Sequence, residues 1–240
     1  MYEVSLFIGE GEGYILQNRY KKNQKTISET EQDILLQKKV AIIGCGGLGQ
    51  HSAAQLCRIG VGQLTIIDPD TFDTTNLNRQ LFSNTENIGI PKVLETQKLL
   101  QIINPDVKIV IYQERFNTIC SRFDQDTPDL FIEGLDSKAD RITLQQVCKD
   151  LNKPLISAAI AGWYGLLTLI KPGDDTLNHI YKENNSVGME AILGNPSFTP
   201  ALVASLQVAE AIKYLLGKPT LQSGEILYID LLNMEFKKLK

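Results

Sequence analysis

At 240 residues, with about 150 residues per domain as the guide, the chain has material for roughly 1.6 domains: one large domain, or one with an appended lobe. Hydrophobic residues make up 43% and charged residues 22%, which excludes a disordered chain and predicts a sizeable core. With 24 basic and 28 acidic residues the net charge is −4, so the overall field favours neither nucleic-acid backbones nor anionic membranes, and an anion must bind at a local basic site.

The opening segment, MYEVSLFIGEGEGYILQNRY, carries acids where a signal peptide carries bases. No apolar run approaches the roughly 18 residues that cross a bilayer, which predicts a cytoplasmic chain without a membrane partner. An arm and helix over 1–37 lead into KKVAIIGCGGLGQ (38–50), where a short β-branched run ends in glycines: strand, tight turn, helix start. The helix runs through Gln50 to Ile59 and closes at Gly60, and LTIID (64–68) is a second strand ending in an acid.

Residues 69–91 are polar and form a long loop with one helical turn. A helix from Pro91 to Ile103 precedes the strand VKIVIY (107–112), and DLFIEGL (129–135) is a further strand. Ser137 caps a helix reaching Leu151, and PLISAAIAG (154–162) completes an alternation whose continuous apolar runs suit a parallel sheet covered on both faces. After Trp163 comes the strand GLLTLIKPG, then a crossing loop over 173–198 with little periodicity. A helix from Thr199 to Leu216 is apolar around much of its circumference, as expected in a core or at a subunit interface, and EILYIDLLN and MEFKKLK form two terminal strands.

These elements predict an α/β fold: a Rossmann-like, mostly parallel sheet with helices on both faces, antiparallel C-terminal strands and a crossing loop. The whole chain, 1–240, is one domain. It comprises the N-terminal arm and helix (1–37), a nucleotide-binding core (38–162), and the crossing loop, buried helix and terminal strands (163–240).

Gly44, Gly46 and Gly49 follow the first strand at dinucleotide-type spacing, where glycines let phosphates approach the backbone and a helix N-terminus supplies N–H groups. Asp68 closes the second strand, placed for ribose hydroxyls. Alone, this pattern fits a nicotinamide-dependent oxidoreductase. The next segment, DPDTFDTTNLNRQLF, adds Asp70, Asn76 and Arg79, and Lys92 follows at the start of a helix. Two cations beside a phosphate cradle suit a triphosphate under attack at its α-phosphorus better than hydride transfer.

GCGGLG at 44–49, the D-x-D-x(5)-N-L-x-R-Q pattern from Asp68 to Gln80 and GIPK at 89–92 together resemble the ThiF/MoeB/HesA group of the ubiquitin-activating enzyme superfamily. The resemblance extends from about Arg19 to the C-terminus. It implies an ATP-dependent adenylyltransferase that activates the C-terminal glycine of a ubiquitin-like sulfur-carrier protein ending in Gly-Gly, as an acyl-adenylate with release of pyrophosphate. It also implies a homodimer. Adenylation of a small-molecule carboxylate by the same site is the nearest alternative.

By the same resemblance, Gly44, Gly46 and Gly47 line the ATP phosphates, Asp68 holds the ribose, and Asp70 and Asn78 also belong to the nucleotide-binding set. Asn76, Arg79 and Lys92 neutralise the phosphates, Asp136 binds Mg2+, and Leu135 and Ser137 flank the nucleotide. His51 and His179 lie outside these motifs and are structural or surface residues. RYKKNQ (19–24) resembles the family's N-terminal element that reaches the neighbouring subunit's ATP site, with Lys22 where the family has arginine, and Arg19 as a substitute or an anchor.

The four cysteines, Cys45, Cys57, Cys120 and Cys148, are widely spaced, and residues 163–240 contain none. The C-x-x-C pairs that hold zinc in many relatives are missing, and no cysteine occupies the crossing loop. This predicts no zinc and no thioester step, with sulfur delivered by another protein.

Overall fold

The computed structural model describes residues 18–124, 126–181 and 189–240. Ser28 opens helix α1 (Glu29–Leu36) with a capping box: its hydroxyl accepts the Glu31 N–H at 3.2 Å, and the Glu31 carboxylate accepts the Ser28 N–H at 2.8 Å. Strand β1 (Lys39–Ile43) then feeds helix α2 (Gly47–Ile59), which starts at the glycines themselves. Gly60 ends α2 in the left-handed region (φ 84°), and the buried Tyr20 ring lies where a Cβ on Gly60 would be.

Strand β2 (Gln63–Ile67) leads through the polar segment, with a 3-10 turn at Thr74–Asn76, to helix α3 (Lys92–Ile103) and strand β3 (Lys108–Tyr112). Strand β4 (Leu130–Glu133), helix α4 (Lys138–Asp150) and strand β5 (Leu155–Ala161) follow. Strand β6 (Tyr164–Ile170) precedes the crossing segment, which holds two short helices, α5 (Thr176–Ile180) and α6 (Met189–Leu193), where periodicity predicted only a loop. Five-residue helices are too short for a sequence period to register; residues 182–188 of that segment lie outside the described residues. Helix α7 (Phe198–Leu215) and strands β7 (Ile226–Asp230) and β8 (Glu235–Leu239) complete the chain.

The sheet order is β3-β2-β1-β4-β5-β6-β7-β8, parallel from β3 to β5 and antiparallel from β5 to β8. Strand alternation divides the core between two faces. Val40, Ile42, Leu64, Ile66, Leu130 and Ile132 pack against α2, α3 and α7, whereas Ala41, Ile43, Ile67 and Phe131 pack towards α4 and the turns carrying Phe116 and Phe123. The chain steps outward from β1 to β3 and returns to β4 on the other side of β1. The C-terminal ends of β1 and β4 therefore diverge at a topological switch point, where open α/β sheets bind ligands. Among the described residues no helix is long and apolar enough to cross a membrane.

Candidate active site

A cavity of about 910 Å³ opens at this switch point, a size typical of ligand sites. Its glycines divide by physical role. Gly44 has φ 94°, and a Cβ there would sit 2.5 Å from the Gly134 carbonyl oxygen; a Cβ on Gly49 would sit 1.9 Å from that of Gly44. These two glycines let the turn after β1, the first turn of α2 and the end of β4 meet backbone to backbone. A Cβ on Gly46 would have only Gln80 Nε2 nearby, at 3.9 Å. Packing does not require a glycine there. Gly46 is the N-cap of α2, no side chain caps it, and no acid occupies the first turn, so the positive end of α2 is directed into the cavity.

Asp68, immediately after β2, is buried, and its two oxygens tie loops together: Oδ2 accepts the Cys45 N–H at 2.6 Å and Oδ1 the Asp70 N–H at 2.8 Å. Burial pushes its carboxyl above the ordinary range, and the Lys92 charge works against that shift. Lys92 is itself buried at the start of α3, with Nζ 3.0 Å from Asp70 Oδ2, so it is not a solvated surface charge. Arg79 lines the cavity with Nη1 donating to Thr75 O and Asn78 Oδ1, each at 2.9 Å. Asn76 is buried, and its Oδ1 accepts the Asp73 N–H at 3.0 Å, closing the 3-10 turn that presents Arg79.

The opposite wall is the turn between β4 and α4. Ser137, not Asp136, caps α4 by accepting the Asp140 N–H at 3.3 Å. Asp136 is thereby left exposed in the cavity.

A ThiF family model matches residues 20–240. The chain belongs to the ThiF family. It is 31% identical over 211 residues to the sulfur carrier protein ThiS adenylyltransferase of Escherichia coli, covering 87% of this chain and 84% of that one. The molybdopterin-synthase adenylyltransferase of the same organism is 31% identical over 214 residues, covering 87% and 85%. A probable molybdopterin-synthase adenylyltransferase of Porphyra purpurea is 30% identical over 214 residues, and there the match takes in 87% of this chain and 56% of the relative. Among solved structures, Escherichia coli MccB with ATP superposes with a TM-score of 0.78 at 21% identity over 93% of this chain and 71% of that one. PaaA superposes with a TM-score of 0.79 at 19% identity over 100% and 77%. These two likenesses establish the fold.

In this ThiF-family chain the structure gathers most of the expected site residues around one cavity. Gly44, Gly46, Gly47, Asp68 and Asp70 line it, as do Asn76, Arg79, Lys92, Leu135 and Asp136. Three expected residues stand elsewhere. Asn78 borders a small neighbouring pocket instead, its side chain accepting from Arg79 at 2.9 Å and donating to Asn195 O at 3.0 Å. The Ser137 hydroxyl is taken up as the cap of α4. Lys22 lies on an exposed turn, while Arg19 donates to Ile103 O at 2.7 Å at the far end of α3 from Lys92, which makes it an anchor within this chain.

The cavity also contains residues that sequence reasoning passed over. Gln80 belongs to the N-L-x-R-Q motif and is buried, with Nε2 beside Gly46 and Oε1 unpartnered among the described residues. Arg115, Arg141 and Tyr181 come from segments with no motif of their own. Nothing local marked them, since their placement depends on which strand ends meet at the switch point.

Among the described residues no three His, Cys, Asp or Glu side chains converge as a metal cage. Asp136 offers one exposed carboxylate to the same cavity as Gly46, Arg79 and Lys92. That donor set fits a Mg2+ ion that takes its remaining ligands from phosphate oxygens and water.

Proposed function

We propose that this chain is a cytoplasmic ATP-dependent adenylyltransferase that activates the C-terminal glycine carboxylate of a ubiquitin-like sulfur-carrier protein of the ThiS or MoaD kind. The observation that supports it most is the grouping, around one cavity, of an uncapped helix N-terminus, the cations Arg79 and Lys92, and the carboxylate Asp136. The names of the relatives at 30–31% identity agree with it.

The chemistry follows from charge. A carboxylate is repelled by a polyanion, so the two must be held together and the repulsion shielded. The N–H groups at Gly46 and Gly47 and the cations Arg79 and Lys92 take the triphosphate, and Asp68 with Asp70 receives the ribose side. The carrier's carboxylate oxygen bonds to the α-phosphorus as the bond to pyrophosphate breaks, leaving an acyl-adenylate. Mg2+ held by Asp136 would neutralise charge on the departing pyrophosphate.

Beyond the phosphate end the cavity runs onto β5–β7, past Ala159, Ala161 and Gly165, to Tyr164 and Tyr228, whose rings lie 6.3 Å apart and nearly parallel. Small neutral walls suit an extended Gly-Gly tail, which is read through its backbone. The crossing segment 173–198 borders this arm through Tyr181, Met189, Leu193 and Asn195 and acts as the tail's clamp. In a homodimer, Lys22 would act in the neighbouring subunit's site.

The test is carboxylate-dependent exchange of pyrophosphate into ATP, run with Gly-Gly-ending ubiquitin-like proteins and with small carboxylic acids. Exchange with a carrier is expected. Exchange with a small acid alone would transfer the reading to that substrate class, and tight NAD binding without any exchange would overturn it.

A further inference from the structure

A buried ion pair outside the sequence motifs joins the cavity-lining Arg141 to Glu133 behind it. Glu133, the last residue of β4, is fully buried on the same face as Ile43. Its Oε1 accepts the Leu135 N–H at 2.9 Å, and its Oε2 accepts the Ser157 hydroxyl at 2.6 Å. Arg141, one turn into α4, brings Nε to 3.5 Å from Glu133 Oε1. Its Nη2 donates to Leu135 O at 2.5 Å, and Nη1 donates to Ala158 O at 3.0 Å and to the Tyr181 hydroxyl at 3.1 Å.

Leu135 is thus gripped at both ends of its backbone, its N–H by Glu133 and its C=O by Arg141. The C=O of Leu135 belongs to the peptide unit that leads into Asp136, so the guanidinium holds the peptide plane from which Asp136 departs. The same fork ties that turn to β5 through Ala158 and to the end of α5 through Tyr181. A buried charge pair is a costly way to gain stability alone, and a planar fork serving three acceptors is a positional device that an ammonium cannot reproduce.

We propose that Arg141, paired with Glu133, is a positioning residue that acts through the Leu135–Asp136 turn, setting the Asp136 carboxylate for metal-bound triphosphate. This rests on the nucleotide reading above and extends it to a residue that need not touch the reacting atoms.

Calorimetric titration of the full chain with ATP, with and without Mg2+, tests it. In the wild type Mg2+ is expected to strengthen ATP binding. Arg141→Lys keeps a positive charge beside Glu133 but loses the fork, and should cut that Mg2+-dependent gain about tenfold, with Mg2+-free affinity within about twofold of wild type. In an Asp136→Ala background Arg141→Lys should have no further effect, because the two changes remove the same interaction. A full Mg2+ gain in Arg141→Lys, or a second loss added to that of Asp136→Ala, would overturn the proposal.

Should Arg141→Lys not fold, Tyr181→Phe, which removes one acceptor of the fork, is expected to lose part of the same Mg2+ gain. A Mg2+ response equal to wild type in folded Tyr181→Phe would then overturn the proposal. Failure of the wild type itself to bind ATP is a separate signature, and it would defeat the nucleotide reading.

Discussion

The Lys92 ammonium lies 3.0 Å from the Asp70 carboxylate, with the lysine side chain 8% exposed and the aspartate 61% exposed. One partner is therefore held by the protein interior, while the other can exchange its contact for water. Such an arrangement is a poor stabiliser, because solvent screens the pair, and its worth is at most about 1 kcal/mol. It is a good way to keep a cation aimed at a cavity.

Lys92→Met should accordingly leave the fold intact, with a fall in melting temperature of about 2–4 °C. Pyrophosphate exchange should fall by about 100-fold or more, as when a group aimed at developing charge is removed. Thermal scans and exchange assays on one preparation separate the two effects, and near-normal exchange would mean that Lys92 serves only Asp70.

The glycines offer a sharper contrast. Gly49→Ala would force a Cβ to 1.9 Å from the Gly44 carbonyl oxygen, and should cost about 3 kcal/mol or more in unfolding free energy. Gly46→Ala meets nothing closer than 3.9 Å and has a φ of −91° that alanine accepts. It should fold with near-normal stability and bind ATP about tenfold more weakly, because the methyl group occupies the cradle. Denaturant unfolding combined with ATP titration of the two variants decides it; equal ATP affinity in Gly46→Ala and wild type would contradict the cradle assignment.

Burial raises the Asp68 carboxyl above its ordinary value of 3.8 despite Lys92, and it moves Glu133 the same way from 4.5. Between the ordinary and the raised value the folded chain keeps a proton that the unfolded chain has lost. The stability these groups contribute is complete below the unfolded value and is lost as pH climbs through the folded one. Urea unfolding of wild type and Asp68→Asn from about pH 4 to pH 7 should show a smaller loss with rising pH in the variant. Identical pH dependences would show that Asp68 titrates normally.

The thiols are poorly placed for covalent chemistry. Burial pushes Cys45 up to about 12 and Cys57 to about 11, and it raises Cys148 and Cys120 as well. Iodoacetamide at neutral pH should modify Cys120, the least buried of the four, well before the others, and pyrophosphate exchange should survive. A carrier adduct cleaved by thiols on a denaturing gel would refute a purely adenylating role.

The strand and helix alternation, the glycine turn and the D-x-D-x(5)-N-L-x-R-Q run were legible in the chain because their information is local. A β-branched run ending in glycines makes a strand and a turn through backbone sterics alone, and Asp68, Arg79 and Lys92 sit within a few residues of such landmarks. Ser137 was legible as a cap for the same reason.

What tertiary structure decided was which of these residues meet. It placed Gln80 in the main cavity and Asn78 beside a smaller one, although both belong to one short turn. It buried Lys92, which no neighbouring residue in the sequence could foretell. It also assembled Glu133, Ser157, Arg141 and Tyr181 from β4, β5, α4 and the end of α5, four segments separated along the chain. The chain by itself determined the strand, the glycine turn and the motif run through short-range pattern; which of their side chains share one cavity depends on contacts between distant segments, which only packing can specify.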